Sequence, residues 1–142
     1  MTIATILGGK GQDVISVSGD QTVKEAVALL AKRRIGAVPV MDGGAVAGIF
    51  SERDVIYALE REGASALDRH VSEVMTAPAI TVSSSESALG ALALMTRRRI
   101  RHLPVVDGTR LAGFVSIGDL VKYRIERIEA EATAMREYIQ AV

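Results

Sequence analysis

The feature that most constrains the fold of this chain is an internal repeat with a period of 65 residues. Shifting the sequence against itself by 65 positions aligns residues 15–58 with residues 80–123 without a gap, and 17 of the 44 aligned pairs are identical. A duplication of this length predicts two copies of one folding unit. The chain has 142 residues, which suffices for two small units that share a core but is short for two independent enzyme domains.

Both copies show the same order of local patterns, β-α-β-β-α. In each copy a short apolar stretch precedes an amphipathic helical pattern, two β-rich runs around an Asp-Gly turn, and a second helix. Thr22 and Glu25 have the spacing of a capping box at the start of the first helix of copy one. The predicted strands are 14–17, 37–41 and 45–51 in the first copy and 79–82, 102–106 and 110–116 in the second. Because one unit of about 60 residues buries too little surface to be stable alone, we expect the copies to share one core.

A seven-residue motif recurs where the last strand of each copy meets the second helix. It contains a glycine, two apolar residues, a serine, two variable residues and an aspartate, at 48–54 and again at 113–119. A serine at the start of a helix can cap it or bond a phosphate, and a carboxylate three residues later can accept both hydroxyls of a ribose. The alternative is that Ser51 and Ser116 are plain helix caps and the aspartates only complement the helix dipole.

Composition excludes several classes of site and partner. The chain has no cysteine and two histidines, so it lacks the residues of a disulfide framework, a thiol nucleophile or a cysteine zinc site. Lys+Arg and Asp+Glu both number 17, and the resulting zero net charge favours neither nucleic acid nor an anionic membrane as a partner. The first residues do not match a signal peptide, and no apolar run approaches the ~20 residues of a membrane span. We therefore expect a cytoplasmic protein.

The two repeats together resemble a known family. Each has an apolar-Pro-Val-apolar-Asp-Gly hairpin followed by the glycine-to-aspartate motif, as in the tandem cystathionine β-synthase (CBS) domain pair, or Bateman module. Residues 3–7 and 71–76 resemble that family's entry segment to each repeat. The resemblance extends to about Tyr123 and implies an α+β fold of two βαββα repeats related by pseudo-twofold symmetry. The implied units are repeat 1 at 1–66, repeat 2 at 67–123 and a C-terminal helical extension at 124–142.

The resemblance also implies a function. It indicates a non-catalytic regulatory module that binds an adenosine-containing ligand (AMP, ADP, ATP, NAD or an S-adenosyl compound) between the repeats, with the motif aspartate on the ribose. The sequence does not identify the partner protein that such a module would regulate. The residues implied for the first cleft are Ser51, Asp54, Thr76, Ala79, Ile80, Arg101, His102, Leu103 and Pro104. Those implied for the second cleft are Val14, Ile15, Gly36, Ala37, Val38, Pro39, Ser116 and Asp119.

The two clefts are not equal in charge. Gly36 and Ala37 of the first copy are replaced by Arg101 and His102 in the second, beside three arginines at 97–99. Guanidinium groups suit phosphate recognition, and a nearby phosphate favours the protonated form of histidine. We therefore expect the Asp54 cleft to bind the more highly charged nucleotide. The alternative is that the arginines at 97–99 lie at the solvated C-terminal end of a helix, where they complement the helix dipole.

Two further segments lie outside the repeats. The glycines around Lys10, at positions 8, 9 and 11, lack the spacing of a phosphate-binding loop and predict a flexible linker. After Asp119 a helical pattern runs to the end of the chain, with an apolar seam that we expect to clasp a homodimer. The alternative is packing against the same chain. The seam residues are Val121, Ile125, Ile128, Ala132, Met135, Ile139 and Val142.

Three classes of function are therefore considered for this sequence pattern: a sensor, a scaffold and a hydrolase. The first is an adenine-nucleotide sensor whose repeats change their packing when the ligand binds, which requires different affinities for two arrangements. The second is a constitutive dimeric scaffold with empty or side-chain-filled clefts. The third, a nucleotide hydrolase, is disfavoured because no pattern supplies a base, a nucleophile or a metal cluster.

Overall fold

Each copy folds as an entry helix followed by the predicted β-α-β-β-α order, in a computed structural model that describes residues 1–10 and 14–141. A short 3₁₀ helix at Gly63–Asp68 connects the copies. The helices are α1 (Ile3–Lys10), α2 (Val23–Arg33), α3 (Glu52–Glu62), α4 (Val71–Val74), α5 (Ala88–Arg98) and α6 (Ile117–Ala141). The strands are β1 (Val17–Ser18), β2 (Ala37–Asp42), β3 (Ala45–Ser51), β4 (His102–Asp107) and β5 (Arg110–Ser116).

The first long helix of each copy begins at a side-chain cap. In front of α2 the Thr22 hydroxyl accepts the backbone N–H of Glu25 at 3.2 Å, and the Glu25 carboxylate accepts the Thr22 N–H at 3.4 Å. In front of α5 the Ser87 hydroxyl accepts the backbone N–H of Gly90 at 2.9 Å. These caps satisfy amide groups that have no partner inside the helix, and they confirm the predicted capping box at Thr22.

The β-rich runs of each copy form an antiparallel hairpin, β2–β3 and β4–β5, as predicted. The Asp-Gly turns place Gly43 (φ 59°) and Gly108 (φ 64°) in the left-handed region, which glycine adopts without steric cost. Each hairpin contains a register shift at the same point, after Val40 in the first copy and after Val105 in the second. The two copies therefore share the same hairpin pairing, turn conformation and register shift as well as similar sequences.

The strand that opens each copy is shorter than predicted. β1 is only two residues long and pairs parallel with β2, and its counterpart in the second copy is a single bridge at Val82. The sequence predicted strands over 14–17 and 79–82. Val14 and Ile15 line a cavity between the copies instead of extending the sheet.

The buried side chains form two clusters, one in each copy, where we expected one shared core. Each cluster includes the entry helix that precedes the other copy. Ile3 and Ile6 of α1 are buried in the cluster of the second copy, and Val71 and Val74 of α4 are buried in that of the first. Because of this exchange, each hydrophobic core is completed by the helix that precedes the other copy. The exchange also means that α1 and α4 pack across the predicted boundary between repeats, whose position stays a prediction.

The C-terminal pattern forms one continuous helix, α6. Its described seam residues are exposed, from Val121 at 42% to Ile139 at 65%, so the alternative of packing against the same chain is not what the structure shows. Val142 lies outside the described residues. No helix in the described parts of the chain is both long and apolar enough to cross a membrane.

Replacing Ile3 with alanine tests the exchange of entry helices. Because Ile3 is fully buried, we expect the substitution to leave a cavity and to lower the free energy of unfolding by about 2–5 kcal/mol in urea denaturation. Leu89→Ala is the control, since Leu89 is 58% exposed on α5 and its truncation should change stability by about 0.5 kcal/mol or less. Equal losses in the two variants would show that α1 is not part of the core.

Candidate functional site

The two serine–aspartate motifs form capping boxes where a strand ends and a helix begins. Asp54 accepts the Ser51 backbone N–H at 2.9 Å, and Asp119 accepts the Ser116 backbone N–H at 2.8 Å. Each serine hydroxyl in turn accepts the backbone N–H of its aspartate, at 3.4 Å and 3.1 Å. The capping alternative is therefore correct as a description of the backbone. It also fixes a hydroxyl and a carboxylate at a helix N-terminus, where an anion is favoured.

A cavity of about 400 Å³ opens beside Asp119 and is lined by both copies. The structure brings together there six of the eight residues that the resemblance implies for this cleft: Val14, Ile15, Gly36, Ala37, Ser116 and Asp119. The other two, Val38 and Pro39, are buried within β2. Leu7, Lys10, Arg34, Ile35, His102, Gly113 and Phe114 complete the lining. The cavity therefore combines an apolar wall with a carboxylate, a hydroxyl and cationic groups, the usual composition of a small-molecule site.

Lys10 is one of the seven lining residues that the sequence did not indicate for this cleft. Its ammonium donates to Asp119 Oδ2 at 2.6 Å and to the backbone carbonyl of Phe114 at 2.8 Å. The predicted linker is wrong for Gly8 to Lys10, which form the last turn of α1, and Gly11 lies outside the described residues. Lysine and aspartate are 109 positions apart, so no local pattern relates them.

The carboxylate of Asp119 is held in its charged form. Partial burial pushes its pKa upward, but the hydrogen bonds from Lys10 and Ser116 outweigh that effect and leave the pKa below its ordinary value. Both bonds end on Oδ2. Among the described residues no hydrogen bond to Oδ1 is formed, so this oxygen is available to a ligand hydroxyl.

His102 lies between the two clefts. Its ring stacks on Phe114, with centroids 5.5 Å apart and planes 10° from parallel, and it lines both cavities rather than only the first cleft. Burial lowers the pKa of His102, and the positive charge of Lys10 lowers it further, against the opposing effect of the Asp119 and Glu52 carboxylates. The imidazole is therefore neutral at neutral pH and presents a flat apolar face.

The Asp54 cleft is smaller, about 150 Å³, and four of its implied residues line it: Ser51, Thr76, Arg101 and His102. Asp54 itself is engaged on both oxygens. Oδ2 accepts from the backbone and hydroxyl of Ser51, and Oδ1 accepts the Thr76 hydroxyl at 2.8 Å. A ribose at Asp54 would have to displace Thr76, whereas Asp119 offers a free oxygen.

The remaining residues implied for the first cleft, Asp54 among them, lie outside the lining of this cavity. Leu103 and Pro104 are buried in β4, and Ala79 and Ile80 are half-buried before the Val82 bridge. Gly36, Glu52, Arg53, Ile49, Arg99 and Ile100 line the cavity in addition to the residues predicted for it.

The arginines divide into two groups. Arg97 and Arg98 are exposed in the last turn of α5, as the solvated-helix alternative describes. Arg34 and Arg99 end α2 and α5 in the left-handed conformation, each with a φ of 54°, and their side chains line the Asp119 and Asp54 cavities respectively. Non-glycine residues rarely adopt this conformation, so the helix ends place two guanidinium groups at the two clefts at a conformational cost.

The first glycine of each motif has a role that the sequence did not show. A Cβ atom added at Gly113 would lie 2.5 Å from Leu7 Cδ2, and one added at Gly48 would lie 2.6 Å from the backbone oxygen of Thr76. The glycines therefore let the exchanged entry segments lie directly against the strands that carry Ser51 and Ser116. In the second copy, this close approach brings α1 and Lys10 to the cavity.

Comparison with known proteins gives one consistent result. The sequence model of the CBS domain matches residues 11–61 and 71–126. The chain is 34% identical to the mitochondrial CBS domain-containing protein CBSX3 of Arabidopsis thaliana in an alignment 148 residues long, gaps included, that covers 98% of this chain and 72% of the relative.

Two solved structures show the same fold. The CBS-domain containing protein ATU1752 from Agrobacterium tumefaciens superposes with a TM-score of 0.83 at 40% identity, covering 87% of this chain and 99% of that one. The CBS domain pair of protein MJ0100, solved in complex with 5-methylthioadenosine and S-adenosyl-L-methionine, superposes with a TM-score of 0.79 at 25% identity. That match covers 89% of this chain and 98% of the other.

Two glycine-to-alanine substitutions test how closely α1 packs beside the cavity. Gly113→Ala forces a methyl group into Leu7, so we expect a loss of about 1–3 kcal/mol in the free energy of unfolding. Gly8→Ala is the matched control in α1, because nothing lies within 4 Å of its added Cβ, and we expect a gain of up to about 1 kcal/mol from higher helix propensity. Stability changes of the same sign, measured by urea denaturation, would contradict the packing described for Leu7.

Proposed function

This chain belongs to the CBS-domain family as a tandem pair of repeats, and we propose that it is a regulatory module that binds an adenosine-containing ligand in the Asp119 cleft. The observation that carries the proposal is the cavity of about 400 Å³ that joins both repeats at the Ser116–Asp119 motif. This volume lies in the range of small-molecule sites. The ligand is AMP, ADP, ATP, NAD or an S-adenosyl compound, and the adenosine ligands of MJ0100 support this class.

The lining suggests how the parts of such a ligand are recognised. Asp119 Oδ1 is placed to accept a ribose hydroxyl. Val14, Ile15 and Ala37 supply apolar surface for an adenine ring, and the N-terminus of α6 with the Ser116 hydroxyl suits an anionic group. Because residues of both copies line one cavity, a ligand that contacts both can favour one relative packing of the repeats over another.

A non-catalytic role is the second part of the proposal. The relatives reported above are named for their CBS domains, which supports regulation of another protein rather than catalysis. A constitutive scaffold is the alternative, and a nucleotide hydrolase is disfavoured. The regulated protein is not identified. The cytoplasmic compartment and the preference of the Asp54 cleft for the more charged nucleotide stay predictions.

We expect AMP, ATP or NAD to bind the wild-type protein in isothermal titration calorimetry and to raise its Tm in thermal-shift assays, because a ligand that binds the folded state stabilises it. Asp119→Asn should weaken binding at least about tenfold, since it removes a charged hydrogen-bond acceptor for the ribose. Asp20→Asn is the control, because Asp20 is an exposed aspartate away from the cavity. Absence of binding for every adenosine ligand would favour the scaffold alternative.

We also propose that α6 clasps a homodimer. The seam from Val121 to Ile139 is apolar and exposed along the described helix, and a helix of this length presents it as one continuous stripe. The outer side of α3 adds Ile56 at 63% and Tyr57 at 56% exposure. A second copy is the proposed cover for this surface, since closed two-fold dimers are the commonest symmetric assembly.

Truncation after Tyr123 is expected to reduce the mass in light scattering from dimer to monomer, because it removes most of the seam. Ile128→Glu within the full chain should have the same effect by placing a charge in the seam. Ala130→Glu is the control, since residue 130 lies on the opposite side of α6 and is exposed. An unchanged mass after truncation would contradict the clasp.

A further inference from the structure

Lys10 does more than line the Asp119 cleft. It is the last residue of α1, and its ammonium bonds both Asp119 Oδ2 and the Phe114 carbonyl, on the strand that leads into the motif. Its side chain is 42% exposed and that of Asp119 is 27% exposed, so solvent and ligands can reach the pair.

The bonding at Asp119 sets up a competition. Oδ2 already accepts the Ser116 backbone N–H and the Lys10 ammonium, while Oδ1 has no partner among the described residues. A ribose has two neighbouring hydroxyl groups, and a carboxylate binds both by using both of its oxygens. When the two hydroxyls bind one to each oxygen, the second hydroxyl takes the position that Lys10 holds on Oδ2.

The charges that line the cleft determine which ligand displaces Lys10 from Asp119 more favourably. The groups that line it are the cations Lys10 and Arg34, the single carboxylate Asp119, and His102, which is neutral at neutral pH. A neutral nucleoside that displaces Lys10 leaves its ammonium without a carboxylate partner in a cavity that Arg34 also lines. A ligand with a phosphate supplies a new anionic partner for the released ammonium.

The first copy lacks this device. There the group on Asp54 Oδ1 is the Thr76 hydroxyl, a neutral donor that follows α4 as Lys10 ends α1. Displacing the Thr76 hydroxyl leaves no charged group without a partner. The two copies therefore differ in the charge of the group that a ribose must displace.

We propose that Lys10 is a displaceable counter-ion that makes the Asp119 cleft selective for phosphorylated adenosine ligands over neutral adenosine. This inference rests on the proposed function, because it names the ligand class of the same cleft. Lys10 releases Asp119 to the ribose and pairs with the phosphate. It is a specificity-determining residue, and its position at the end of α1 links ligand charge to the entry helix that completes the second core.

The test compares AMP with adenosine by calorimetry in the wild type and in Lys10→Met. We expect the wild type to bind AMP more tightly than adenosine, and Lys10→Met to reduce the ratio of their affinities at least about tenfold. The variant should bind adenosine more tightly than the wild type does, because no ammonium has to be displaced, and it should bind AMP more weakly. Lys24→Met, an exposed lysine on α2, makes the same change in net charge and should leave the ratio unchanged.

The outcomes separate this inference from the function on which it rests. Binding of AMP to the wild type with the same AMP-to-adenosine ratio in Lys10→Met would overturn the role of Lys10 and leave the proposed function intact. No binding of either compound to the wild type would overturn both. Lys10→Gln, which keeps a polar side chain without the charge, is expected to behave like Lys10→Met, and a wild-type ratio in this variant would also contradict the inference.

Discussion

The exchange of entry helices is the packing on which the rest of this molecule depends. Ile3 and Ile6 complete one hydrophobic cluster and Val71 and Val74 the other, so neither copy buries a full core with its own contiguous residues. The exchange is possible because the motif strands carry a glycine where the entry segment crosses them. The clefts follow from the same packing, since the segments that close the cores also reach the ends of the strands that carry the motifs.

The motif aspartates combine a structural and a chemical role without conflict. At Asp119 the cap of α6 and the bond from Lys10 use one carboxylate oxygen, and the other has no hydrogen-bond partner among the described residues. At Asp54 the second oxygen is already bonded to Thr76. Two copies of one motif therefore present different surfaces to a ligand, and the difference arises from residues outside the motif.

Local signals in the sequence were sufficient for most of the fold. The capping box at Thr22, the Asp-Gly turns and the apolar periodicities predicted the helices and hairpins because each depends on residues within a few positions of one another. The exchange of α1 and α4 was not predictable in this way. Both segments are simply apolar and fit either copy, and only the three-dimensional packing assigns each to the core of the other.

The candidate site was predictable to a similar degree. Ser116 and Asp119 were identified from a repeated motif, whereas Lys10 was taken for part of a linker because its partner lies far away in sequence. The resemblance implies His102 for one cleft, whereas its ring, stacked on Phe114, lines both cavities. Contacts between the two copies leave no periodic pattern in the sequence. These contacts determine which charged groups line the cleft.

The exchanged helices also have a consequence for how the chain is made. α1 is synthesised before the second repeat, yet the cluster that buries Ile3 and Ile6 is built from residues between Val82 and Leu120. The apolar side of α1 therefore stays uncovered until the second repeat has been synthesised. Contacts of such long sequence separation form late and slowly. The second core is therefore completed only by a contact between distant segments of the chain, which couples the folding of the two repeats.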